Sequence, residues 1–175
     1  FDFPLRIKEL NETDSILELF HGPTFAFKDF AARFMARTMS HFLENEDNEI
    51  TILVATSGDT GSAVANGFFN VDGINVIILY PSNRVSAIQE KQLTTLGGNI
   101  TALEIDGSFD DCQRMVKAAF QDIDLRSRLS LSSANSINMA RLLPQSVYYA
   151  WAWKQCGKNN PVIFSVPSGN FGNLT

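Results

Sequence analysis

Four short, largely apolar runs, each separated from the next by a stretch of helical period, constrain this chain more than any other feature. The runs cover residues 50–55, 74–80, 100–105 and 162–166 and are rich in Ile and Val. Such runs read as strands buried on both faces. Helical patterning covers residues 27–43, 60–69, 85–96, 109–121 and 138–155. Strands alternating with helices across short connections predict an α/β fold. Its sheet is mainly parallel, with helices on both faces in three αβα layers. Residues 44–49 read as a polar loop, and residues 122–133 show no period that assigns them.

In such sheets ligands gather at the carboxyl ends of strands, where a loop enters a helix amino terminus. Three stretches meet that description. Thr56-Ser57-Gly58-Asp59-Thr60-Gly61-Ser62 follows the first run. Its glycines permit a tight backbone and its helix start offers free amides, a site for carboxylate or phosphate. It serves equally as a plain strand–helix turn with Asp59 as cap. Ser168-Gly169-Asn170-Phe171-Gly172-Asn173 follows the last run. It lacks both the G-x-G-x-x-G and the G-K-[ST] nucleotide patterns, so a phosphate from another source suits it better. Asn135-Ser136-Ile137-Asn138, with Arg141 in the helix that follows, is either an anion site or a set of caps beside a surface arginine.

Charge narrows the partners. A formal charge of −5 and a pI near 5.0 argue against a nucleic-acid or anionic-membrane surface, and no run is long enough to span a bilayer. Cys112 and Cys156 have no C-x-x-C spacing and read as reduced thiols, and His21 and His41 stand apart, so no metal site is expected. Reduced thiols make the expected location cytoplasmic; no leader peptide is visible, and a chain that opens on Phe1 rather than Met is expected to lack an upstream segment.

Lys28 connects the turns. At 100° per residue, Phe27, Phe30, Ala31, Phe34, Met35, Thr38 and Phe42 form one mostly apolar arc, with Asp29, Arg33, Arg37 and Glu44 opposite. Lys28 falls inside the arc, between Met35 and Met39. Periodicity alone leaves two readings. One is the commoner snorkelling lysine at a helix start. The other is a desolvated amine whose pKa falls toward neutrality, fit to form a Schiff base with an aldehyde. A lysine nucleophile with two anion-binding loops is the set that pyridoxal 5'-phosphate chemistry requires.

The segment His21-Gly22-Pro23-Thr24-Phe25-Ala26-Phe27-Lys28-Asp29-Phe30 closely resembles the cofactor-lysine segment of threonine synthases. The 55–63 loop, Gly97-Gly98-Asn99, Ile105-Asp106-Gly107, Asn135–Asn138 with Arg141, and the 168–173 loop resemble that family's microbial branch in the same order. The resemblance implies a fold-type II pyridoxal-phosphate enzyme. It would convert O-phospho-L-homoserine and water to L-threonine and phosphate. It further implies Lys28 as the cofactor-bearing base and Asp59 beside the ring hydroxyl. Ser168, Gly169, Asn170, Phe171, Gly172 and Asn173 would hold the cofactor phosphate. Thr56, Ser57, Gly58 and Thr60 would receive the substrate carboxylate, and Ser136, Asn138 and Arg141 the substrate phosphate. Threonine synthases are longer, so the chain is expected to be a piece that is inactive alone. Residues 45–135 are expected to form a smaller α/β unit, with 1–44 and 136–175 parts of a larger cofactor-binding one. A phospho-lyase on the same fold, a non-enzymatic cofactor-binding module and an unrelated nucleotide-binding domain remain as alternatives.

Overall fold

The computed structural model describes residues 2–44, 49–135, 138–156, 161–169 and 171–174. Strands β1 (Arg6–Glu9) and β2 (Ser15–Glu18) pair antiparallel, Arg6 opposite Glu18. Asn11 closes their turn by accepting the amides of Thr13 and Asp14. This polar hairpin carries no apolar run and was not expected. Then follow α1 (Lys28–Leu43), β3 (Ile50–Ala55), α2 (Asp59–Phe68), β4 (Ile74–Pro81) and α3 (Ala87–Thr94). After them come β5 (Ile100–Ile105), α4 (Phe109–Gln121), α5 (Ile123–Arg128) and β6 (Ser130–Ser133). Helix α6 (Met139–Leu142), a 3-10 turn (Leu143–Ser146) and α7 (Val147–Cys156) end the ordered elements.

The main sheet runs β5-β4-β3-β6 and is parallel throughout. Its period-two alternation divides the core in two. Ile52, Val54, Val76 and Ile78 point to the face covered by α1, α2 and α3, where Met35, Val64, Phe68 and Leu93 are buried. Leu53, Ala55, Ile77 and Leu79 point to the other face, which meets Cys112 and Val116 of α4. Helices therefore cover both faces, as two-sided apolar strands require. No helix among the described residues is long and apolar enough to cross a membrane.

Three expectations are corrected, and one unassigned stretch gains its elements. Residues 162–166 form no strand: no described strand lies beside them to complete a ladder, and Ile163 is 94% exposed. The helix expected over 138–155 breaks into α6, the 3-10 turn and α7 at Pro144, whose nitrogen has no hydrogen to donate. The unassigned stretch 122–133 holds α5 and β6, an edge strand of sequence Ser-Leu-Ser-Ser too polar to signal itself. Finally, α1 is rotated from the expected wheel: Phe34 and Phe42 are exposed, and Asp29 is buried. Close helix packing explains this, because α1 meets α2 through small residues. A Cβ on Gly67 would come within 3.0 Å of the Ala32 carbonyl carbon. Bulky rings cannot occupy so narrow a crossing, so the alanines take the core face. Asp29 is tolerated there because Thr24 donates both its amide (3.0 Å) and its hydroxyl (2.5 Å) to the carboxylate.

Candidate active site

The loop leaving β3 is built around one hydroxyl. Thr56 is buried, and its Oγ1 accepts from the amides of Gly58 (3.0 Å) and Gly61 (2.9 Å). Gly58 has φ +143°, a conformation L side chains rarely adopt, so glycine is required at this turn. Thr56 is thus engaged inside the loop by its side chain. The amides of Ser57, Asp59 and Thr60 have no protein acceptor among the described residues. They stand at the start of α2, where the helix dipole favours an anion.

Lys28 opens α1 and reaches across to this loop. Its Nζ donates to Asp59 Oδ2 at 3.4 Å, and its side chain is only 15% exposed. The ammonium also lies 4.5 Å from the Phe27 ring centroid. Burial lowers the lysine pKa from its usual 10.5; Asp59 opposes that shift, whereas the Arg141 guanidinium adds to it. Asp59 is shared: its other oxygen, Oδ1, accepts from Gln89 Nε2 at 2.6 Å.

Arg141 on α6 is 2% exposed and donates Nη1 to the Ala134 carbonyl at 2.6 Å. Burial holds its pKa down to about 10. Its Nε has no hydrogen-bond partner, nor has Oε1 of buried Gln145 on the following turn. Unpaired buried polar atoms are costly, and they suit a polar ligand. Tyr148 of α7 donates its hydroxyl to the Phe27 carbonyl, tying this region to the residue before Lys28.

The structure therefore brings Lys28, Asp59, the 56–60 loop and Arg141 together. Asn138 is differently employed: Oδ1 caps the Ala140 amide and Nδ2 donates to the Ser133 carbonyl. Ser136 and Asn170 lie outside the described residues. The described residues of the 168–173 segment bond to one another. Ser168 Oγ accepts the Phe171 amide (3.0 Å) and bonds Asn173 Oδ1 (2.5 Å), with Phe171 at φ 56°. Tyr149 donates its hydroxyl to the Asn173 carbonyl, fixing the loop to α7. No bond joins Gly169, Phe171, Gly172 or Asn173 to Lys28 among those described for the lysine. Sequence reasoning missed Gln89 and the bracing role of Asn135. The Ser86-x-x-Gln89 capping box was a legible signal for the first, but only for a helix start.

A partly desolvated amine thus lies beside a helix start with unpaired amides on a parallel α/β sheet, groups of the kind that an aldehyde and an anion would engage. The chain matches the pyridoxal-phosphate dependent enzyme family over residues 16–175 and belongs to it. Within that family it is similar to threonine synthases. It is 53% identical over its whole length to the Haemophilus influenzae threonine synthase, of which it spans 41%. The solved Escherichia coli threonine synthase superposes with a TM-score of 0.90 at 51% identity, over 99% of this chain and 41% of that one. The PLP-bound threonine synthase from Brucella melitensis superposes with a TM-score of 0.88 at 44% identity, over 97% of this chain and 37% of that one.

Proposed function

We propose that the full-length protein carrying this chain is a cytoplasmic threonine synthase of fold type II, using Lys28 as its cofactor lysine. Its reaction is O-phospho-L-homoserine plus water to L-threonine plus phosphate. The observation that carries the reading is the largely covered Lys28 amine, its side chain 15% exposed, facing Asp59 at the start of α2. The residues present fit the cofactor. Lys28 has the lowered pKa an amine needs to meet an aldehyde, and Arg141 and Gln145 keep buried polar atoms free for a ligand.

When bound, pyridoxal phosphate supplies an electron sink that makes protons at Cα and then Cβ labile. Lys28 Nζ would be the base that takes and returns those protons. The amides of Ser57, Asp59 and Thr60 at the start of α2 would receive the substrate carboxylate and orient Cα toward Lys28, while the Gly58 amide stays on Thr56. Arg141 faces the phosphate that leaves Cγ, where a fixed guanidinium offsets developing charge. Ser136 and the 168–173 loop keep their assignments, to substrate phosphate and cofactor phosphate. Asn138 supports this site by capping α6, which carries Arg141. We further propose 45–135 as the smaller unit, with the inner face of α1 adding Ala32, Met35 and Ala36 to its core.

The test uses the full-length protein with cofactor. Equal release of threonine and phosphate from O-phospho-L-homoserine supports the reading; 2-oxobutyrate in place of threonine would assign the phospho-lyase instead. Borohydride reduction should fix the cofactor at Lys28, and neither Lys28→Ala nor Lys28→Arg should turn over, because a guanidinium stays protonated. Labelling at Lys91 or Lys117 would overturn the assignment.

A further inference from the structure

Asp59 is a carboxylate that should not, by itself, hold still. Its side chain is 55% exposed, and its pair with Lys28 is long at 3.4 Å. An exposed pair of this kind is worth little and leaves the carboxylate free to change rotamer. Its second oxygen is held by a shorter bond, 2.6 Å from Gln89 Nε2 on α3. Gln89 is in turn held at its other end. Its Oε1 accepts from the Ser86 amide (3.2 Å) and the Ser86 hydroxyl (3.0 Å), completing the capping box that starts α3.

The backbone of the 56–60 loop makes room for this arrangement. A Cβ on Gly58 would lie 2.5 Å from Gln89 Cδ and Nε2, so the glutamine amide occupies the space that the glycine leaves open. The starts of α2 and α3 are thereby joined by one side chain that is anchored on α3 and packed on Gly58. It ends on the oxygen of Asp59 that does not face the lysine.

We propose that Gln89 is a positioning residue for Lys28, acting through Asp59. Its amide fixes the rotamer that keeps one carboxylate oxygen on the lysine amine. The inference rests on the reading of Lys28 as the cofactor lysine and deepens it. Three charged groups act on Lys28: Asp59, Arg141 and Asp29. Arg141 is braced by Ala134, and Asp29 is held by Thr24. Asp59 is the only one of the three that bonds the amine directly. The orientation of that one carboxylate therefore governs how far burial's effect on the Lys28 proton is opposed, and Gln89 holds the orientation.

The experiment reads the lysine itself. In cofactor-free full-length protein, lysines are reductively methylated with 13C-formaldehyde, and the Lys28 resonance, identified by its loss in Lys28→Arg, is titrated by NMR. Gln89→Met keeps length and helix propensity but has no donor. It should lower the Lys28 midpoint by roughly a few tenths of a pH unit, the worth of an exposed ion pair. Gln89→Glu, which adds a second carboxylate beside the first, should raise it. In an Asp59→Asn background, Gln89→Met should produce no further shift. An unchanged midpoint in Gln89→Met would overturn the proposal, as would the same shift with and without Asp59, which would mark a general loosening of the fold. Because no cofactor is present, these results are independent of borohydride labelling, and a failure of either reading is seen separately.

Discussion

Asn135 pairs its side-chain amide with both backbone groups of Ala55: Nδ2 donates to the Ala55 carbonyl at 2.8 Å, and Oδ1 accepts the Ala55 amide at 3.3 Å. Strand β6 ends its ladder with β3 at Ser133, opposite Leu53. Two residues later the Asn135 amide takes the place of a strand backbone, extending the pairing to the last residue of β3. The 56–60 loop begins at the next residue, so this pair fixes where that loop leaves the sheet.

Asn135→Ala should strand the Ala55 amide and carbonyl, at a cost of about 1–3 kcal/mol for the buried groups left unpaired. Asn135→Asp should not recover the loss, since a carboxylate cannot donate to the Ala55 carbonyl. Urea unfolding of the two variants checks this, and recovery by aspartate would refute the two-sided pair.

Gly58 and Gly73 separate strain from crowding. Both have positive φ, +143° and +73°, but a Cβ on Gly73 would meet nothing within 4 Å. Gly58→Ala combines a forbidden conformation with collision against Gln89 and should cost on the order of 1–3 kcal/mol. Gly73→Asn should be nearly silent, because asparagine tolerates the left-handed region. Thermal unfolding of both proteins distinguishes the positions; equal losses would mean backbone strain alone decides.

Lys28 should leave a signature in stability against pH. Burial lowers its folded-state pKa below 10.5, so between that lowered value and 10.5 the unfolded chain binds more protons than the folded one. Stability contributed by this group therefore rises with pH across that window, and its penalty is fully present below it. Lys28→Met should remove the slope and be more stable than the parent at neutral pH. Denaturant titrations of cofactor-free full-length protein from neutral pH to pH ~10 test the sign, and a parent slope that falls with pH would contradict it.

Arg141→Lys keeps a charge but loses the planar fork. The expected result is a KM for O-phospho-L-homoserine raised roughly tenfold or more, the worth of one hydrogen bond to a charged group, with cofactor absorbance unchanged. An unaltered KM with a lowered unfolding midpoint would reduce Arg141 to the brace of the Ala134 carbonyl.

Much of the sheet was legible because its signal is local. Residues 50–55 and 100–105 become β3 and β5 as read, and 109–121 becomes α4. Each combines an apolar period with a clear boundary, such as the Ser108 capping box that starts α4. The misreadings share the opposite property. The serines of β6 form a strand only because β3 lies beside them, and residues 162–166 do not form one because no described strand does. On α1 the wheel weighed rings above alanines, whereas the crossing with Gly67 required alanines. In the candidate site, the lysine and the glycine loop were visible as motifs. The engagement of Thr56 within its own loop was not, whereas Asn138 as a cap was one of the two readings its segment offered.

The chain's own sequence determined the family and the αβ alternation, and singled out Lys28 as the candidate amine. These rest on residue type and on spacing along one dimension. Tertiary structure alone decided which oxygen of Asp59 faces Lys28, that Gln89 holds the other, and that Arg141 is buried with Nε unpaired. Such contacts join residues 30 or more positions apart, as Lys28–Asp59 and Asp59–Gln89 do. Periodicity reports which way a side chain faces on its own element, but a hydrogen bond between elements depends on the packing that brings both ends within about 3 Å.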